Sequence, residues 1–82
     1  MKIDHSLVRA YLEYEMKRTR GGLITVKTKR FFRFLGSTPR GGNTCIKFWQ
    51  LVEEIAPELG LRVLERAHRR MGNHTKIVFI KP

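Results

Sequence analysis

Residues 61–80 read LRVLERAHRRMGNHTKIVFI. The last part, Lys76 to Ile80, is a compact β-branched run, and stiff branched side chains suit the pleated surface of a sheet. Leu61 to Arg70 alternates more loosely between apolar and polar residues. Between them, Met71 to His74 carries turn chemistry, with a Gly-Asn pair that tolerates backbone conformations other residues avoid. Two strand-like runs around such a turn predict a β-hairpin. A hairpin here decides the fold class, because most of the chain before it has helical spacing.

Immediately upstream, a third helix is expected to begin at Asn43 or Thr44. Cys45, Phe48, Trp49, Val52, Ile55, Ala56 and Leu59 fall on one face, with Lys47, Gln50 and Glu54 opposite. Pro57 lacks an N–H and crowds the preceding turn, so this helix should end or kink near Ala56. The loop before it is Gly36 to Gly42, GSTPRGG. Lys27 to Leu35 predicts a second helix, with Phe31, Phe32, Phe34 and Leu35 on one half of the wheel and Lys29, Arg30 and Arg33 on the other. Gly36 suits a left-handed cap at its end. Leu23 to Val26, a β-branched stretch after Gly21 and Gly22, predicts a short strand. Asp4 to Arg20 predicts the first helix. Asp4 or Ser6 can cap it, and Leu7, Val8, Tyr11, Leu12 and Met16 supply its apolar face. Lys17, Arg18 and Arg20 suit its negative pole.

An 82-residue chain of 9.6 kDa fits one domain, residues 1–82, around a modest core. Hydrophobic residues make up 41% and include five Phe, which favours packing over disorder. Lys and Arg number 17 against 7 Asp and Glu, a net charge of +10. Such a field repels itself, so it points to an anionic partner: nucleic acid first, then an anionic membrane or an acidic protein. Cys45 is the single cysteine, which excludes an intramolecular disulfide and a cysteine-based zinc site and fits a reducing, cytoplasmic setting. The opening MKIDHSLVRAYLEYEMKR is too polar for a signal peptide, and no apolar run approaches the roughly 18 residues of a membrane span. Without a secretory signal, the triplets at Asn43 and Asn73 match glycosylation acceptors in spelling only. Scarce Gln and Asn beside plentiful Arg is a composition also found in thermophile proteins.

The order helix, short strand, helix, loop, helix, strand, turn, strand resembles the winged helix-turn-helix domain over Ile3 to Lys81. The resemblance is carried by GLITVKTKRFFRFLG (22–36), NTCIKFWQLVEEI (43–55) and the hairpin quoted above. It rests on the succession of elements, since this family has almost no signature. The loop 36–42 is longer than the turn of the simplest helix-turn-helix, which bears on the crossing angle of the flanking helices. The resemblance implies an α+β fold of three helices with a short strand and a C-terminal β-hairpin wing. It implies a double-stranded DNA-binding protein, commonly a transcription regulator, here nucleoid-associated. Many members dimerise, and a homodimer surface is available on the first helix, with Tyr14 at its margin.

In such folds the second helix of the pair meets base edges in the major groove with its N-terminal residues. That implies contacts from Asn43, Thr44, Lys47 and Gln50; Gln pairs with adenine and Lys donates to guanine. Glu53, Glu54 and Glu58 come only in later turns, away from the groove. Lys27, Lys29, Arg30 and Arg33 form a basic block for the phosphate backbone, and Arg40 in its glycine-rich loop would add another phosphate contact. Arg69, Arg70, Asn73, His74 and Lys76 lie at the hairpin tip, where a positive wing meets the minor groove or its flanking phosphates. Trp49 shares helical spacing with Val52 and Ala56, which places it in the core. Phe34 is the most exposed phenylalanine, and Ile46 and Leu51 flank the core face as rim, dimer or thymine-methyl contacts.

An enzyme is not expected. His5, His68 and His74 lack paired metal-ligand spacing, no phosphate-binding loop is present, and Ser6 and Ser37 carry no nucleophile signature. No metal, cofactor or small-molecule ligand is implied. RNA binding, a chromatin-type coat without sequence preference and a protein-interaction winged helix are the alternatives that remain open.

Overall fold

The Asp4 carboxylate accepts the Leu7 backbone N–H at 2.9 Å, and this cap starts helix α1 (His5–Arg18). The computed structural model describes the backbone of residues 3–36, 44–70 and 73–82, with all their side chains except those of 68–70 and 73–75. Helix α1 buries Val8, Tyr11, Leu12 and Glu15, a stripe at i, i+3, i+4 and i+7. It stops two residues earlier than Arg20 for a tertiary reason. The Lys81 ammonium donates to the Met16 and Thr19 carbonyls at 3.1 and 2.6 Å, and the first of these is the acceptor a further helical residue would need.

Strand β1 (Leu23–Val26) and helix α2 (Thr28–Leu35) follow as the spacing predicts, and α2 ends at Gly36 in the left-handed conformation, φ 78°. Helix α3 (Thr44–Ile55) passes directly into a one-turn 3-10 helix, Ala56–Leu59, with Pro57 in its first turn. Gly60 closes that turn at φ 76°, and a Cβ there would meet the Pro82 ring at 3.2 Å, so glycine is required on two counts. Strands β2 (Arg62–Arg70) and β3 (Asn73–Ile80) complete the chain. Asn73 and His74, expected in the turn, belong to β3 and pair with Arg70 and His68, because the ladder extends farther toward the tip than the β-branched run does.

The sheet is antiparallel, in the order β1-β3-β2, so the last strand of the chain is the central one. Register places Ile24, Phe79 and Val63 in one row and Val26, Ile77 and Arg66 in another. Ile24, Val26, Ile77 and Phe79 are buried, so these rows face the helices. Leu23, Ile80 and Arg62 share the outer face. A bulge at Leu64, between the pairs Val63–Phe79 and Glu65–Val78, leaves this leucine 54% exposed. The same bulge turns Arg66 inward. There it forms a forked ion pair with Glu53 of α3, with contacts of 3.0 to 3.3 Å.

Aromatic rings join the three helices. Phe31 of α2 stacks on Phe48 of α3 at 4.3 Å, and Tyr11 of α1 meets Phe31 edge-on at 5.3 Å. Trp49 is buried against Phe48, as its spacing predicts. Leu51 is also in the core rather than on its rim, because α3 is covered from both sides of its apolar stripe. Among the described residues the architecture is therefore α+β, three α-helices on one face of a three-stranded antiparallel sheet. No helix among them is long and apolar enough to cross a membrane.

Candidate nucleic-acid interface

The segment from Lys27, which joins strand β1 to α2, through Arg30 in the first turn concentrates positive charge at a helix start. Lys27 is the N-cap of α2 and supplies no side-chain acceptor to the first-turn N–H groups. Lys29 and Arg30 follow, and no acid stands in that turn. These cations therefore sit at the positive pole of the helix dipole, where a carboxylate would be stabilising. Helix α3 repeats the mismatch. Its first turn holds no acid, Lys47 lies in its front half, and Glu53 and Glu54 occupy its negative pole, with no base in the last turn.

Exposure separates these groups from the core. Lys27, Lys29, Arg30, Arg33, Lys47 and Gln50 are exposed, whereas Thr44 and Lys76 are half-buried. Elsewhere the acids are used internally. Arg9 pairs with Glu58 at 3.0 Å and Glu13 at 3.9 Å, Arg18 with Glu15 at 2.9 Å, and Arg66 with Glu53. Among the described residues, Lys27, Lys29, Arg33 and Lys47 form no ion pair. Arg30 differs from its neighbours. Its guanidinium donates to the Thr25 carbonyl at 3.3 Å and lies 3.7 Å from Glu15, so it also braces α2 against β1 and α1.

The structure brings Lys27, Lys29, Arg30 and Arg33 together on α2 and sets Lys47 and Gln50 one turn apart on the solvent face of α3. Asn43 and Arg40 lie outside the described residues, as do the side chains of Arg69, Arg70, Asn73 and His74. Phe34 is 36% exposed, the most exposed phenylalanine among those described. Among the described residues no three His, Cys, Asp or Glu side chains gather as a metal site would require.

Glu15 is the functional candidate that spacing left out. It is 1% exposed although it is an acid, and it occupies the i+7 position of the Val8, Tyr11, Leu12 stripe, a signal present in the sequence. Its carboxylate receives both the Nε and the Nη2 of Arg18 on one oxygen, at 3.0 and 2.9 Å. Tyr11 lies alongside, its hydroxyl buried next to the Lys27 backbone without a well-formed hydrogen bond. Burial, reinforced by the Glu15 charge, pushes the Tyr11 phenol well above its ordinary value. Comparison with protein-family models, characterised proteins and solved structures finds no match for this chain.

Proposed function

We propose that this domain binds double-stranded DNA as a winged helix-turn-helix protein, a small transcription regulator that acts by occupying its site. One observation carries the proposal: α2 opens on cations where its dipole disfavours them, α3 holds its acids at its negative pole, and Lys27, Lys29, Arg33 and Lys47 lack carboxylate partners among the described residues. Each mismatch costs about 0.3–1 kcal/mol. Sequence that contradicts local preference is expected at functional surfaces, where a ligand supplies the missing stabilisation. A phosphate at the start of α2 would meet unpaired N–H groups, the favourable dipole pole and Lys27, Lys29 and Arg33 together. In this reading α3 lies in the major groove and the β2–β3 hairpin is the wing. Lys47 and Gln50 read bases, and counterion release at α2 supplies most of the affinity.

Duplexes selected from a random pool, with affinities measured over a salt series, test this assignment. Lys47→Ala and Gln50→Ala should each narrow the gap between selected and random duplexes, by about 1–3 kcal/mol where the side chain holds a base edge through two hydrogen bonds. Arg33→Ala should weaken all duplexes alike and lower the salt slope by about one unit. Equal behaviour of the two variant classes would remove the division into reading and anchoring residues. Tighter binding to A-form RNA than to duplex DNA would reject the major-groove assignment, since that groove is too narrow in RNA to admit a helix.

A further inference from the structure

A groove of about 230 Å3 opens between α1 and α2, lined by Tyr14, Glu15, Arg18, Arg30, Arg33 and Phe34. Its chemistry is unlike the phosphate-facing start of α2. Two aromatic rings that the core does not enclose, Tyr14 at 46% exposure and Phe34 at 36%, stand 5.1 Å apart at an angle of 46°. Three guanidinium groups surround them, and one buried carboxylate holds two of these in place. Glu15 fixes Arg18 through two bonds to one oxygen, draws Arg30 to 3.7 Å from the other, and leaves Arg33 without a carboxylate partner among the described residues. Arg18 in turn lies 5.8 Å from the centre of the Tyr14 ring, a cation–π contact that sets the ring's orientation.

We infer that this groove is a second nucleic-acid site, which takes one unpaired nucleotide. Its base lies against the Tyr14–Phe34 rings and its phosphate bridges Arg33 and Arg18. Guanidinium groups match phosphate oxygens in geometry and charge, and aromatic faces accept any base. The groove is smaller than the roughly 300–1,000 Å3 of a site for a drug-sized ligand, so it holds a single unit of a strand and not a folded one. Glu15 is a positioning residue: it is buried, so it acts by keeping the Arg18 and Arg30 planes in place before the ligand arrives. The groove shares Arg30 and Arg33 with the duplex assignment, whereas Tyr14, Arg18 and Phe34 have no part in it, so variants at Tyr14 separate the two.

Three probes test it by NMR titration of the whole chain: a nucleoside 5′-monophosphate, inorganic phosphate and a short single-stranded oligodeoxythymidylate. The mononucleotide and the oligonucleotide should perturb Tyr14, Arg18, Arg33 and Phe34, and phosphate alone should bind more weakly. Tyr14→Ala, at an exposed position, should weaken the oligonucleotide about tenfold while duplex affinity stays unchanged, and Tyr14→Phe should restore binding because the ring and not the hydroxyl is used. Retained near-ultraviolet circular dichroism from Trp49 establishes that the variants are folded. Unchanged oligonucleotide affinity in Tyr14→Ala would overturn the inference. So would inorganic phosphate binding as tightly as the mononucleotide, or a polyglutamate peptide displacing the oligonucleotide at equal charge. Loss of single-strand binding in Tyr14→Ala in a protein that binds no duplex would sustain this site and reject the proposal for α2 and α3.

Discussion

Tyr11 and Glu15 sit one helical turn apart on the buried stripe of α1, and each answers a different question about the domain. Burial and the Glu15 charge favour the neutral phenol of Tyr11 in the folded state. Its folded value therefore lies above the unfolded one of about 10, and the folded state keeps its proton longer. Stability from this group is complete below about pH 10 and is lost as pH rises from there toward the folded value. In Tyr14→Phe, Tyr11 is the only remaining tyrosine. Its tyrosinate absorbance should then rise together with alkaline unfolding, not before it; a separate earlier transition would place the phenol in contact with water. Glu15 shows where reading by residue type falls short. Its position on the stripe is legible, but a glutamate is ordinarily assigned to solvent. Only the guanidinium groups of Arg18 and Arg30, the latter from another helix, make its burial tolerable.

Helix α2 is where stability and function are expected to oppose each other. Lys29→Glu would place an acid in the first turn and four residues ahead of Arg33, favourable both for the dipole and for an i,i+4 pair. The variant should be more stable by about 0.3–1 kcal/mol in denaturant unfolding and should bind duplex DNA more weakly. A variant that gained stability and kept its affinity would show that the charge mismatch serves no phosphate. The hairpin makes a complementary case. Deleting Leu64 would remove the first of three irregularities in the β2–β3 ladder while keeping Arg66 opposite Ile77, so the ion pair with Glu53 should survive. Thermal stability should then change little, but the altered strand twist should re-aim the tip and weaken the duplex contacts assigned to a wing. Most element identities were legible, because apolar spacing and the punctuation by Gly36, Pro57 and Gly60 act locally. The end of α1 was not, since a lysine 65 residues from Met16 determines it. Nor was the bulge, because loose alternation in β2 gives no register.

Seen whole, the domain spends its few acids on itself. Asp4 caps α1, Glu13 and Glu58 meet Arg9, Glu15 meets Arg18 and Arg30, and Glu53 meets Arg66, so five of the seven acids have internal partners. What remains is a surface of surplus cations, which the proposed duplex would neutralise, and the salt series proposed above tests that. The sheet order was the least legible feature of all. A hairpin pattern announces that β2 and β3 pair, but it leaves the second edge of β3 open and does not say that β1 fills it. That order has a consequence for synthesis on the ribosome. β1 and β2 emerge first and have no ladder to join until Ile77 to Lys81 clears the exit tunnel, after which the central strand and the Lys81 tether to α1 arrive together. A chain stalled before β3 emerges would thus expose two orphan edges at once, so nascent copies of this protein should be prominent clients of holding chaperones until β3 is free to pair.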